Sequence, residues 1–207
     1  MSKKTQQTQE IKPSTYMMAD NVTGELYNLR MNNNEENAYH VVLSVNDDFF
    51  TTLDGVKVKG GNANGSGRII VEGQDIHQSN GGGLVTASSS VVSRNTTYEN
   101  NAASNSGGGV YLSAGVPTLD GVNMIKNYSG VQGGGLTIEI SYATVYNCVF
   151  YGNRSLTYGG GIYTNFTPTT LYNTLFIENA STKGGAIYNY QGDPNYVNST
   201  ITKNYAA

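Results

Sequence analysis

The sequence predicts an all-β fold, a right-handed parallel β-helix, because two markers repeat along it with the same period. The first marker is a glycine-rich run that ends in an aliphatic residue: Leu84, Val110, Leu136, Ile162 and Ile187. The second is an apolar residue followed three positions later by an asparagine: Asn101, Asn127, Asn153, Asn179 and Asn204. Both markers advance in steps of 26, 26, 26 and 25 residues. A fixed period of about 20 to 50 residues is typical of a solenoid, in which each repeat stacks on its neighbours.

The residues within one repeat select the kind of solenoid. Residues 171–177 are rich in β-branched and aromatic side chains and lack helical periodicity, which predicts one strand. A glycine-rich turn follows, and a second short strand is predicted at residues 187–188. We therefore expect each repeat to form one coil of a β-helix. Five coils at the strand spacing of about 4.8 Å would rise roughly 24 Å.

Each column of equivalent residues then has an expected position. The aliphatic marker and the apolar residue before each marker asparagine should point inward; the latter column is Tyr98, Met124, Phe150, Phe176 and Ile201. The marker asparagines are predicted to form a structural ladder at a strand end, in the left-handed conformation that asparagine tolerates, with amides bonded between coils. A second polar column, interrupted by Gly121, predicts another turn ladder: Asn95, Asn147, Asn173 and Asn198.

The repeat resembles that of the chlamydial-type polymorphic outer membrane proteins, which carry G-G-A-[ILV] and F-x-x-N motifs. Residues 184–187 match the first motif, and residues 150–153 and 176–179 match the second. The resemblance covers residues 81–204 and implies a β-helix that serves as a surface-exposed adhesin passenger of an autotransporter. The sequence departs from that family because no membrane barrel follows the repeats and no export signal precedes them. It is more broadly similar to the pectate-lyase-like β-helices, which include polysaccharide lyases, hydrolases and phage tailspikes.

The region before the regular repeats is predicted to hold a separate segment. Residues 1–55 are interpreted as a polar tail followed by a β-rich cap or docking segment, with short strands at 16–18, 26–31, 39–45 and 49–53. The β-helix is expected to occupy residues 56–207. Residues 68–76 are predicted to supply an irregular first coil, and regular 26-residue coils are expected from about residue 81.

Composition excludes several classes of function. The formal charge is −3, and basic and acidic residues balance within the repeats, so nucleic-acid binding and attraction to an anionic membrane are both disfavoured. Cys148 is the only cysteine, which rules out an intrachain disulfide and favours a small packed side chain. No apolar run reaches membrane-spanning length. We expect an extracellular or cell-surface protein, or a virion component.

The acidic residues do not predict a catalytic or metal site. Glu99, Asp120 and Glu139 fall in different columns on different coils, whereas glycan cleavage needs paired carboxylates or a calcium cluster on one sheet. We therefore expect no catalytic residue, no metal and no cofactor.

Tyrosines supply the candidate partner-binding residues. Tyr111, Tyr163 and Tyr188 follow inward aliphatic residues and are therefore predicted to point outward, while Tyr146 and Tyr172 form a second outward column. These columns either stabilise the sheets by neighbour packing or form an aromatic strip for a glycan or a protein.

The predicted function is that of a non-enzymatic structural subunit of an extracellular fibre or another head-to-tail homopolymer. In this hypothesis the N-terminal segment of one copy pairs with the open C-terminal coil of the next. One alternative is an adhesin passenger that binds a glycan or a host protein. Another is a polysaccharide-cleaving β-helix enzyme or a relative of virion tailspikes.

Overall fold

The computed structural model describes residues 38–48 and 50–207, and these residues form a parallel β-solenoid of six stacked coils. Each coil contributes one strand to each of four six-stranded sheets, and its strands are four, three, three and two residues long in chain order. The described residues contain strands and turns and no helix. The predicted all-β solenoid is therefore confirmed.

The strands follow one another in the same order in every coil. Coil 1 contains β1 (Val42–Val45), β2 (Thr52–Asp54), β3 (Lys57–Lys59) and β4 (Asn62–Ala63), and a hairpin of β5 (Arg68–Val71) and β6 (Gln74–His77) follows. Coil 2 contains β7 (Leu84–Ala87), β8 (Val92–Arg94), β9 (Thr97–Glu99) and β10 (Ala102–Ala103). Coil 3 contains β11 (Val110–Ser113), β12 (Thr118–Asp120), β13 (Asn123–Ile125) and β14 (Tyr128–Ser129).

The remaining coils repeat this arrangement. Coil 4 contains β15 (Leu136–Glu139), β16 (Thr144–Tyr146), β17 (Val149–Tyr151) and β18 (Arg154–Ser155). Coil 5 contains β19 (Ile162–Asn165), β20 (Thr170–Tyr172), β21 (Leu175–Ile177) and β22 (Ala180–Ser181). Coil 6 contains β23 (Ile187–Tyr190), β24 (Asn195–Val197), β25 (Thr200–Thr202) and β26 (Tyr205–Ala206).

The β-helix begins earlier than the predicted boundary at residue 56. Strands β1 and β2 pair in parallel with β7 and β8, so residues 42–54 already belong to coil 1. The predicted start of the β-helix is too late because the first step differs from the others. Lys57 pairs with Thr97, which is 40 residues later, and this longer step hides the 26-residue period. The rest of the predicted N-terminal segment, residues 1–37 with the strands expected at 16–18 and 26–31, lies outside the described residues.

The hairpin explains the long step. Strands β5 and β6 pair antiparallel around Glu72 and Gly73, both of which have positive φ, as tight hairpin turns require. Ile76 is buried against Val85 and Ala87 on the outer face of the first sheet. Residues 68–77 are therefore an insertion between coils 1 and 2, and the prediction that they form an irregular first coil was wrong.

The two predicted inward columns fill the interior. In coils 2 to 5 the aliphatic column is fully buried, and so is the column that runs from Tyr98 to Phe176. Phe150 and Phe176 stack with their ring centroids 4.9 Å apart. Cys148 is buried as predicted, and burial raises the pKa of its thiol to about 12.

The turns differ from the prediction in one respect. Residues 171–177 form two strands rather than one, because Asn173 has a φ of 49° and separates β20 from β21. The column to which Asn173 belongs is a turn ladder, as predicted. In the glycine-rich turn the second glycine is required by space, since a Cβ at Gly134 would lie 2.3 Å from the carbonyl oxygen of Arg154.

Candidate functional site

The predicted structural ladder lies inside the solenoid and is fully hydrogen-bonded. The Nδ2 of Asn153 donates to the carbonyl of Met124 (2.8 Å) and to the Oδ1 of Asn179 (2.9 Å). The Oδ1 of Asn153 accepts from both the backbone N–H and the Nδ2 of Asn127, each at 3.0 Å. The same pattern runs along the whole inner ladder: Asn101, Asn127, Asn153, Asn179 and Asn204. Each central amide therefore stabilises two junctions between coils.

The conformational reason given for this ladder was wrong. The left-handed conformation occurs one residue earlier, for example at Lys126 (φ 51°), Gly152 (φ 65°) and Glu178 (φ 56°). The preceding residue makes the turn, and the asparagine side chain then points into the interior. Asparagine is needed here for its amide rather than for its backbone tolerance.

The first tyrosine column does not form an exposed strip. Tyr111, Tyr163 and Tyr188 share one outward column of the first sheet, but Thr137 interrupts it between the first two. Tyr163 is only 4% exposed, because the rings of Tyr158 and Tyr188 lie 6.2 and 5.9 Å from its own. The predicted partner-binding role stays a prediction for Tyr111 and Tyr188, which are partly exposed. Tyr163 packs against the neighbouring rings of Tyr158 and Tyr188.

A carboxylate lies among these tyrosines. The hydroxyl of Tyr111 donates to the Oε2 of Glu139 at 2.5 Å, and burial together with this negative charge raises the pKa of Tyr111. Burial, and after it the negative charge of Glu139, also raises the pKa of Tyr163 to about 12. Both tyrosines are therefore held in the neutral form, Tyr111 as a hydrogen-bonded residue and Tyr163 as a packed one.

The second tyrosine column lies on another face. Tyr146 and Tyr172 stack with centroids 5.5 Å apart and an interplanar angle of 12°, and Tyr146 is 36% exposed. The two tyrosines therefore stack between neighbouring coils, which was the first of the two interpretations of this column. Binding of a partner here stays a prediction.

The most exposed cluster of large apolar residues lies elsewhere, at the turn between the first and second sheets. We name this surface the corner ridge; it consists of Ile140, Tyr142, Phe166 and Tyr190, which are 68, 64, 58 and 45% exposed. Phe166 and Tyr190 meet edge to face with centroids 6.1 Å apart. This surface was not predicted from the sequence, although the repeat contains a signal for it. Ile140, Tyr142 and Phe166 occupy turn columns that hold polar residues in coils 1, 2 and 6, and Tyr190 is the last residue of β23.

The acidic residues considered for catalysis each have a structural partner. Glu99 pairs with Lys57 at 3.0 Å, Asp120 accepts from the Nδ2 of Asn147 at 2.9 Å, and Glu139 accepts from Tyr111. Among residues 38–48 and 50–207, no group of three or more His, Cys, Asp or Glu side chains is placed to hold a metal ion.

A family described as right handed beta helix region matches residues 41–206. No curated protein and no solved structure matches the chain. The match concerns β-helix repeats in general, so the finer resemblance to polymorphic outer membrane proteins stays a prediction. Within the part of the chain that the structure describes, there is no helix that is long and apolar enough to cross a membrane.

Proposed function

The chain belongs to the right-handed β-helix family, and from this premise we propose that it is a non-enzymatic structural protein whose copies assemble end to end. One observation carries the proposal. The sheet edges at one end of the described solenoid are β1 to β4, and those at the other end are β23 to β26. The two sets have the same strand lengths in the same order. Coil 1 of one copy can therefore extend coil 6 of another by the same parallel pairing that joins the inner coils.

The side chains at the two ends are also complementary. Ile187, Tyr196 and Ile201 of coil 6 continue inward columns, yet Ile201 is 54% exposed and Tyr196 is 42% exposed. The corresponding residues of coil 1 are apolar as well: Val42, Leu53 and Val58. Val58 is already buried, whereas Val42 and Leu53 are partly exposed. Pairing coil 6 with coil 1 of a second copy would bury Tyr196 and Ile201 against this apolar end, and apolar burial is the main driving force for such association.

Contact between opposite ends has a geometric consequence. Because the two surfaces differ, the contact is heterologous and gives an open filament unless its rotation closes a ring. We place this fibre outside the cell, on its surface or in a virion. The adhesin alternative draws on the finer family resemblance and on the exposed corner ridge.

The test is a change that blocks one end. Ile201→Glu places a charge on an already exposed side chain, so each copy should still fold while assembly is lost. Sedimentation velocity and negative-stain electron microscopy should show concentration-dependent filaments for the wild type and single copies for the variant. Ile70→Glu is the matched control, because Ile70 is 70% exposed on the β5–β6 hairpin, which is not part of the four sheets whose edges would pair.

Two results would overturn the proposal. One is a wild-type protein that stays monomeric at high concentration, and the other is filament formation by Ile201→Glu. Turnover of a polysaccharide that is abolished by changing Glu99, Asp120, Glu139 or Glu178 would instead favour the enzyme alternative.

A further inference from the structure

We propose that the corner ridge, Ile140, Tyr142, Phe166 and Tyr190, is a binding site for a neutral oligosaccharide. The ridge lies on the flank of the solenoid, at the turn that joins the first sheet to the second in coils 4 to 6. Ile140, Tyr142 and Phe166 lie in turns of coils 4 and 5, apart from the strand edges at the two ends, whereas Tyr190 is the last residue of the edge strand β23. Because the inference rests mainly on the three turn residues, it stands independently of end-to-end assembly.

The fold does not require apolar residues at this turn. Ile140 and Phe166 occupy a column that contains Asn46, Ser88, Ala114 and Gln191 in the other coils. Tyr142 occupies a column that contains Ser90 in coil 2 and Asp193 in coil 6. Apolar residues are concentrated in the middle coils, and the turn is polar toward both ends. The same backbone turn thus forms with polar side chains, so the identity of the ridge residues needs another explanation.

The ridge residues are also costly for the fold. Ile140 has a φ of 48° and Phe166 a φ of 53°, a left-handed conformation that is an outlier for a β-branched or bulky residue. Their side chains are largely exposed and so recover little burial in return. Backbone strain of this kind is concentrated at functional sites. Strain and exposure at the same two positions point to a role in binding.

The size of the ridge favours a small ligand over a second copy of the chain. Aromatic side chains offer about 150–250 Å² each, so four side chains exposed to this extent present roughly 400–500 Å². A stable protein interface needs about 800 Å² from each partner. An apolar surface of the ridge's size is typical of a functional patch on a monomer.

The groups around the ridge favour a neutral, hydroxyl-rich ligand. Residues 140–142, 166–168 and 190–192 contain no Lys or Arg, so nothing on these turns attracts an anion. Glu139 occupies the same outward column as Tyr190, two coils earlier, and its carboxylate, which already accepts from Tyr111, can accept from a ligand hydroxyl as well. Sugar rings have apolar C–H faces that stack on aromatic rings and hydroxyls that donate to such acceptors.

The experiment uses immobilised oligosaccharides, neutral ones such as chitotetraose, cellotetraose and maltotetraose and acidic ones such as tetragalacturonate. The wild type should bind at least one neutral probe. The variant Ile140→Asn, Tyr142→Ser, Phe166→Asn introduces the residue types that coils 1 and 2 hold in these columns, and should lose at least tenfold in affinity by calorimetry. Its melting temperature should equal or exceed that of the wild type, because the strain is relieved. Loss of binding would then not reflect unfolding.

Ile70→Asn removes a similarly exposed isoleucine (70% exposed) from the hairpin; it is the matched control and should bind as the wild type does. The proposal is overturned if no neutral probe binds, if only acidic probes bind, or if the ridge variant binds with unchanged affinity. It is also overturned if the ridge variant loses self-association instead of sugar binding, which would identify the ridge as a protein interface. Ile201→Glu should retain sugar binding, so failure of the assembly proposal and failure of this one are distinguishable.

Discussion

The solenoid contains two asparagine ladders that share a residue type and a period but differ in environment. The inner ladder is buried, and the amide nitrogen of Asn153 donates to two acceptors. The outer ladder, which consists of Asn95, Asn147, Asn173 and Asn198, is exposed. Asn173 adopts a left-handed conformation and donates from its Nδ2 to Asn147 at 3.2 Å. A shared period therefore identifies a ladder, but the side of the turn on which it lies decides what it contributes to stability.

The tyrosine columns show the same contrast. Tyr163 is almost fully buried between neighbouring rings, whereas Tyr146 and Tyr172 stack on a face open to solvent. Tyr163, Tyr146 and Tyr172 all follow the repeat and point away from the interior. Of these, only Tyr163 is enclosed by other side chains. Three changes test how far this difference in environment controls behaviour.

The largest effect is expected for Asn153→Ala. The change removes both bonds from its Nδ2 and leaves the backbone N–H of Asn127 buried without its acceptor. Each unsatisfied buried group costs about 1–3 kcal/mol, so the free energy of unfolding should fall by about 3 kcal/mol. Thermal and urea denaturation followed by circular dichroism measure this loss. If the variant melted with the wild type, the inner ladder would not have the stabilising role assigned to it.

A smaller effect is expected for Asn173→Ala in the outer ladder. The lost hydrogen bonds are exposed, and alanine in the left-handed conformation costs about 1 kcal/mol. Asn173→Gly is the matched control and should melt close to the wild type, because glycine adopts this conformation freely and Gly121 already occupies the column. A loss for Asn173→Ala as large as that for Asn153→Ala would remove the distinction between the two ladders.

The smallest effect is expected in the dependence of stability on pH. The pKa of Tyr163 is raised from 10.0 to about 12 in the folded protein, so the folded state holds this proton more tightly than the unfolded chain does. Its contribution to stability is complete below pH 10 and is lost as the pH rises through about 12. Tyr163→Phe should therefore reduce the fall in melting temperature between pH 9 and pH 11. An unchanged fall in Tyr163→Phe would contradict the assignment.

Much of the fold could be predicted from the sequence because it depends on local spacing. The 26-residue period places Leu136 next to Ile162 and Phe150 next to Phe176 without further information. The start of the solenoid could not be found in this way, since the hairpin at residues 68–77 lengthens the first step. An insertion breaks the period while it leaves the pairing of the strands intact.

The candidate surfaces were harder to predict because they depend on neighbouring side chains. Alternation along a strand correctly turns Tyr163 away from the interior, but it cannot show that Tyr158 and Tyr188 cover it. Ile140 and Phe166 were overlooked because apolar residues were assigned to the core. The repeat places both residues in a turn, where a large apolar side chain is exposed rather than part of the core. An apolar residue at a turn position therefore indicates a candidate surface.

The inner ladder also gives the solenoid an electrical direction. Each bond between two ladder side chains runs from the Nδ2 of one asparagine to the Oδ1 of the asparagine in the following coil. The other N–H of each Nδ2 donates to a backbone carbonyl of the preceding coil. Amide groups carry dipoles, and dipoles stacked about 4.8 Å apart with the same orientation add together, as peptide groups do along a helix. The interior of the solenoid therefore contains a row of amide carbonyl dipoles whose Oδ1 atoms all face the Asn101 end. The two ends differ in the sign of this field as well as in shape.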